Sequence, residues 1–225
     1  MSREIPRVPI AVPVAALAAF GVLLGLTVAD WAPLRRFDTV TSQTMRGYGD
    51  AHPDLVAALR VVTDVAATIP FLGVGIAATA LFAGLGRRRR AAFCAVVTAA
   101  VPILWSVLHW QVHSPRPADG FVTIDSSGFP SGHTSHAAAL AFAAVLLAWP
   151  HTARRARVAL TTGAAVFALF IAYTRVALLA HWASDVIGGL LLAAAVVPLA
   201  ALATARVAGV RPQGAKRGPF LYEKR

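Results

Sequence analysis

The sequence predicts an all-α, polytopic membrane protein built from six transmembrane helices. Three observations predict it. Of 225 residues, 57% are hydrophobic and 14% charged, where soluble domains carry roughly a quarter charged residues. The apolar residues gather into six runs, most of them near the ~20 residues that cross a bilayer as a helix. The basic residues fall mainly in the short segments between those runs, as orientation signals do.

The first run extends from Val8 to about Ala29, after a basic start at Arg3 and Arg7. It exceeds the roughly 7–15 residues of a signal-peptide core and ends without a small-x-small cleavage pattern, so it is read as span one. Residues 30–64 mix charged and apolar side chains; Leu55–Val62 has helical spacing, which places part of this region at the interface or over the bundle. Val65–Leu85 is span two, with a Pro and several Gly that membrane helices tolerate. Arg87–Arg90 follows, then span three over Ala91–Trp110. Residues 111–133 read as a polar loop rich in Pro, Gly, Ser and Asp. Thr134–Trp149 is span four, Val158–Leu179 span five and His181–Ala205 span six, with Arg154, Arg155 and Arg157 between spans four and five. The whole chain, 1–225, reads as one domain with a core at about 55–205 and a basic tail at 206–225.

Six spans put both termini on one side. Of the 21 Lys and Arg, 15 fall in the N-terminus, the 87–90 and 154–157 loops and the tail, and eight of the ten acids fall on the other side. The termini are therefore expected in the cytoplasm, and the 111–133 loop outside it. The net charge of +11 thus reads as topology; no aromatic-interleaved basic face or nucleic-acid motif accompanies it, so no nucleic-acid partner is expected. One cysteine, Cys94, excludes a disulfide framework and a cysteine metal site.

Polar residues collect at the outer ends of the spans. His109, His113 and Arg116 close span three and open its loop. Ser131, Gly132 and His133 stand in Gly128-Phe-Pro-Ser-Gly-His-Thr134, a turn feeding a helix N-terminus, where backbone amides and the helix dipole favour an anion. Thr174 and Arg175 end span five, and His181 and Asp185 open span six. The spacing i, i+4 puts His181 and Asp185 on one helix face, so Asp185 is able to fix the tautomer of His181 and leave the other ring nitrogen as a nucleophile. The Arg175 fork suits phosphate oxygens. Taken singly, each also has a structural reading: a Gly-Pro connecting loop, a hydrogen bond at a helix start, an arginine reaching for the interface. Together, a site with two arginines, several histidines and one acid suits a polyanion.

Arg116-Pro117, Pro130-Ser131-Gly132-His133 and Arg175-x5-His181-x3-Asp185 resemble the three signature motifs of the type 2 phosphatidic acid phosphatase, or PAP2, superfamily. The resemblance covers about residues 55–205. It implies a membrane lipid phosphatase in which His181 attacks phosphorus to give a phosphohistidine, Asp185 orients His181, and His133 protonates the leaving oxygen. Arg116, Arg175, His109 and the Ser131 and Gly132 amides would hold the phosphate oxygens, with no metal and no cofactor. The expected partners are a lipid phosphate and the bilayer. Undecaprenyl pyrophosphate is the favoured substrate; phosphatidic acid, phosphatidylglycerophosphate, transfer to an alcohol and non-catalytic binding of a lipid phosphate are the other readings. Two positions depart from the family pattern: His109 stands where a Lys is usual, and Thr174 where a Ser is usual.

Overall fold

The computed structural model describes residues 5, 6, 8–124 and 126–207; the tail expected at 206–225 lies almost wholly outside them. Eight α-helices follow one another: α1 (Ala11–Val28), α2 (Ala32–Ala51), α3 (Pro53–Thr63), α4 (Thr68–Gly84), α5 (Arg88–Gln111), α6 (Gly132–Ala148), α7 (Arg154–Ala177) and α8 (Ala183–Val207). No strand occurs among the described residues. Six segments are long and apolar enough to cross a membrane: α1, α3 with α4, α5, α6, α7 and α8. They match the six runs read from the sequence, with span two reaching back to Pro53.

The mixed region 30–64 folds as two helices. Pro33 and Pro53 stand at their first turns, where a missing N–H removes nothing from the helical ladder. Asp30 takes a left-handed φ of 49° between α1 and α2, a conformation Asp tolerates better than most residues. Charged and polar residues ring most of α2, but Asp38 is buried. Its Oδ1 accepts the Ser184 N–H at 2.8 Å and its Oδ2 the Ser184 hydroxyl at 2.6 Å, so α2 caps the first turn of α8. Burial pushes the Asp38 carboxyl above its ordinary value, against the opposing pull of these two hydrogen bonds.

α8 is the most buried span and runs against α1, α5 and α6. The main core is alanine, valine and phenylalanine, including Phe93, Val101, Ala138, Ala193 and Val197 from these helices and Phe129 from the connection before α6. Small residues let the backbones approach, as they do inside membranes, where packing rather than hydrophobic transfer joins helices. Gly189 shows how close they come. A Cβ there would lie 2.8 Å from the Ser131 carbonyl oxygen and 3.1 Å from the Ser135 N and Oγ. Main chain cannot move aside as a side-chain tip does. Gly189→Ala is therefore expected to destabilise the fold by about 1–3 kcal/mol, seen as a lower thermal unfolding midpoint in detergent. Gly163→Ala, on a stretch of α7 with no neighbour within 4 Å of the new Cβ, should leave that midpoint nearly unchanged.

At one end of the bundle, Arg90 Nη2 in the first turn of α5 lies 2.6 Å from His151 Nε2 in the turn that precedes α7. The arginines expected in loops at 88–90 and 154–157 stand in the first turns of α5 and α7. At the opposite end, the 112–131 connection is strapped down by α2 and α3. Arg46 Nη2 donates to the carbonyls of Ala118 and Asp119, Arg60 Nη2 to that of Phe121, and the Phe121 N–H donates to Leu178. Val56, Leu59, Leu178 and Ala180 form a small core beneath it, with Phe121, Val122 and Ile124 packed on top.

Candidate active site

The α7–α8 turn sets the geometry. Leu179 adopts a left-handed φ of 52°, and the N–H groups of Ala180 and His181 both return to the Arg175 carbonyl, at 3.0 and 3.2 Å. This wrap is a helix C-cap made without its usual glycine. It folds His181 back beside Arg175, six residues earlier.

His181 is buried. Its Nδ1 lies 3.3 Å from Asp185 Oδ2, and the same oxygen accepts the Trp182 N–H at 3.0 Å. Gly128 passes so close that a Cβ there would come within 2.9 Å of Asp185 Oδ2; only glycine fits without moving the carboxylate. With Nδ1 held by Asp185, the lone pair is left on Nε2. Burial first, then the charges of Arg116 and Arg175, push ionisation of His181 well below the ordinary imidazole range, so the ring is neutral at physiological pH. For stability the sign is unfavourable in acid. The unfolded chain takes up this proton near pH 6.5 while the folded chain resists it, so stability falls as pH drops below that value.

Arg116 reaches into the same space from the loop. Its Nε donates to the Ser126 carbonyl at 2.7 Å, and its Nη2 to the Ser127 carbonyl at 2.7 Å and the Ser126 hydroxyl at 3.3 Å. Nη1 donates to the Ala180 carbonyl and stands 3.1 Å from His181 Nε2 and 3.4 Å from Nδ1. The guanidinium is thus fixed by main chain on three sides, with one N–H facing the imidazole. Arg175 is buried as well. Its Nη1 donates to Thr63 Oγ1 at 3.3 Å, and Thr63 Oγ1 lies 2.9 Å from Thr174 Oγ1; Arg175 Nε has no hydrogen-bond partner among the described residues.

His133 stands in the first turn of α6, within electrostatic reach of Arg175, His181 and Arg116. Its Nε2 is buried without a hydrogen-bond partner among the described residues and lies 3.9 Å from Asp64 Oδ1. His109 packs against Trp105 in a tilted ring pair, centroids 4.9 Å apart, and acts electrostatically on His181; its Nδ1 is likewise unpartnered among the described residues. Gly132 lies against the Trp105 indole, where a Cβ would meet it at 2.9 Å, and Trp105 Nε1 donates to the Pro130 carbonyl at 3.0 Å. All eight residues singled out from the sequence therefore lie at one end of the bundle. His113, named beside them, is exposed.

One detail differs from the sequence reading. The Ser131 amide, expected to face an anion, donates instead to the Asp185 carbonyl at 3.0 Å, because Gly189 lets α8 come up against the turn. The Ser131 side chain is turned inward too: Thr134 Oγ1 donates to Ser131 Oγ at 3.1 Å. The donors left to this helix end are the amides of Gly132, His133 and Thr134, since the first N–H to bond back within the helix is that of Ser135, to the Ser131 carbonyl. Sequence reasoning also missed Thr63, Asp64 and Trp182. Asp64 carried one signal, an ionisable group at the edge of an apolar run; Thr63 carried none.

The arrangement is a neutral imidazole braced by a carboxylate on one ring nitrogen, with the other turned toward Arg116 and with a second arginine, a second imidazole and a helix N-terminus nearby. It is able to bind a tetrahedral anion and present a nucleophile to it. Comparison with known proteins agrees with the fold. A crystal structure described as the first transmembrane PAP2 type phosphatidylglycerolphosphate phosphatase, from Bacillus subtilis, superposes with a TM-score of 0.75 over 90% of this chain and 100% of that one, at 21% identity. No curated protein matches significantly by sequence. The family model of the PAP2 superfamily matches residues 93–207, which holds every residue of the three motifs. The chain belongs to the PAP2 superfamily.

Proposed function

We propose that this protein is a lipid phosphatase that works through a phosphohistidine on His181. The observation that carries the reading is the 3.1 Å separation of His181 Nε2 from Arg116 Nη1, with Asp185 on the other ring nitrogen: the nitrogen that would bond phosphorus already faces a phosphate-binding group. His181 Nε2 attacks in line, the N–P bond forms, and the P–O bond to the leaving group breaks. His133 gives its proton to the leaving oxygen and then takes one from the water that cleaves the N–P bond, releasing inorganic phosphate. Arg116, Arg175, His109 and the Gly132 and His133 amides balance the charge on the phosphoryl oxygens. Cationic side chains and amides fill the role a divalent metal takes in other phosphoryl transfers, so turnover needs no metal.

The charge distribution of the loops supports a site on the extracytoplasmic face, with the described N-terminal end in the cytoplasm. Undecaprenyl pyrophosphate is the favoured substrate on that ground, since this carrier is released there. The test is phosphate release by the purified protein in detergent from undecaprenyl pyrophosphate, phosphatidic acid and phosphatidylglycerophosphate, with and without EDTA. Release from at least one lipid, unchanged by EDTA, is expected. Release that requires added Mg²⁺ would overturn the metal-free mechanism, and no release from any lipid would overturn the phosphatase reading.

A further inference from the structure

Between α3 and α4 the chain makes one turn of 3₁₀ helix, Asp64–Ala66, which packs on the first turns of α6. Ala66 is fully buried against Ala137 and Ile171, and Thr63 is tied to Arg175 and Thr174. This anchoring holds Asp64 at the mouth of the site, with Oδ1 3.9 Å from His133 Nε2. The charges around His133 are otherwise of one sign. Arg175 faces it from α7 and Arg116 from the 112–131 loop, while two imidazoles, His181 in the α7–α8 turn and His136 one turn along its own helix, add positive charge only when protonated. Asp64 is the carboxylate within ion-pair distance of His133 among the described residues. A general acid must carry its proton when the leaving group departs, and a cationic cage works against that.

We propose that Asp64 is a positioning residue for the proton on His133, holding the imidazolium in place as the leaving oxygen is protonated. The proposal rests on the reading of His133 as the general acid. The contact has a second consequence. Asp64 also acts on Arg175 and repels the phosphate itself, so it strengthens the acid at the expense of ground-state binding. Since 75% of its side-chain surface is exposed, the coupling is that of a solvent-screened pair and its effect is modest.

The test is Asp64→Asn, with Asp64→Glu as the conservative control. For a lipid monophosphate such as phosphatidic acid, whose alkoxide leaving group needs a proton, Asp64→Asn is expected to lower kcat about two- to fivefold and leave KM unchanged or lower. The alkaline limb of the profile should move to lower pH. For an activated aryl phosphate, whose leaving group departs without a proton, the same variant should keep wild-type kcat. Asp64→Glu should restore most of the lipid rate. Equal losses on both substrates, or an unmoved alkaline limb, would overturn the proposal. The coupling is also read without turnover: in full-length protein labelled with ¹³C at the histidine Cε1, the resonance absent from His133→Gln should titrate at lower pH in Asp64→Asn than in wild type. A midpoint that does not move overturns the coupling even if the wild-type protein proves to hydrolyse nothing.

Discussion

His181→Ala is expected to abolish phosphate release, by on the order of 10⁴-fold or more, while the protein still folds. The reason lies in how the residue is held. His181 is buried with its two ring nitrogens committed to different neighbours, Asp185 at 3.3 Å and Arg116 at 3.1 Å. No other described side chain occupies that point, and His133 enters from a different helix. If Nε2 forms the covalent bond, nothing replaces it, and the residual rate is that of binding and electrostatics alone. The measurement is single-turnover release with the lipid found to be hydrolysed fastest by wild type. Rapid acid quench should trap labelled phosphate on the wild-type protein and none on His181→Ala. A variant retaining a tenth of the wild-type rate would exclude His181 as the nucleophile.

Asp185→Asn should be nearly as damaging, lowering kcat on the order of 10³–10⁴-fold. The change keeps the shape, and the amide oxygen still accepts the Trp182 N–H that Asp185 Oδ2 accepts at 3.0 Å. What is lost is the negative charge under an imidazole that turns cationic as the N–P bond forms. Because Asp185 is fully buried, little solvent screening softens that loss. KM should change by much less than kcat, since the carboxylate faces the ring and not the phosphate. A large rise in KM with kcat preserved would place Asp185 in substrate binding instead.

The sequence alone revealed some parts of this molecule and not others, for physical reasons. The six spans are legible because crossing a bilayer demands a run of about 20 apolar residues, and that demand is local. The site motifs are legible because phosphate chemistry draws on few residue types, and because His181 and Asp185 lie four residues apart; the structure keeps their contact at 3.3 Å although His181 stands in the turn before α8 and not on the helix expected from the spacing. Helices α2 and α3 are hard to place because their role is long-range. Asp38 reaches Ser184, 146 residues away, and Thr63 reaches Arg175, 112 residues away; no periodicity encodes such a pairing. The Ser131 amide was misjudged for the same reason: its partner, the Asp185 carbonyl, becomes visible only once α8 is packed against the turn.

The straps over the 112–131 connection bear on how the molecule can be divided. The family-matched stretch, 93–207, holds every motif residue, yet Arg46, Arg60, Thr63 and Asp64 all precede it and all touch what it contains. A minimal enzyme cut at the family boundary would keep its chemistry on paper while losing the braces that aim it. Anyone shortening, permuting or grafting this protein should treat α2 and α3 as part of the machine, and keep α1 as well, since it packs along α8.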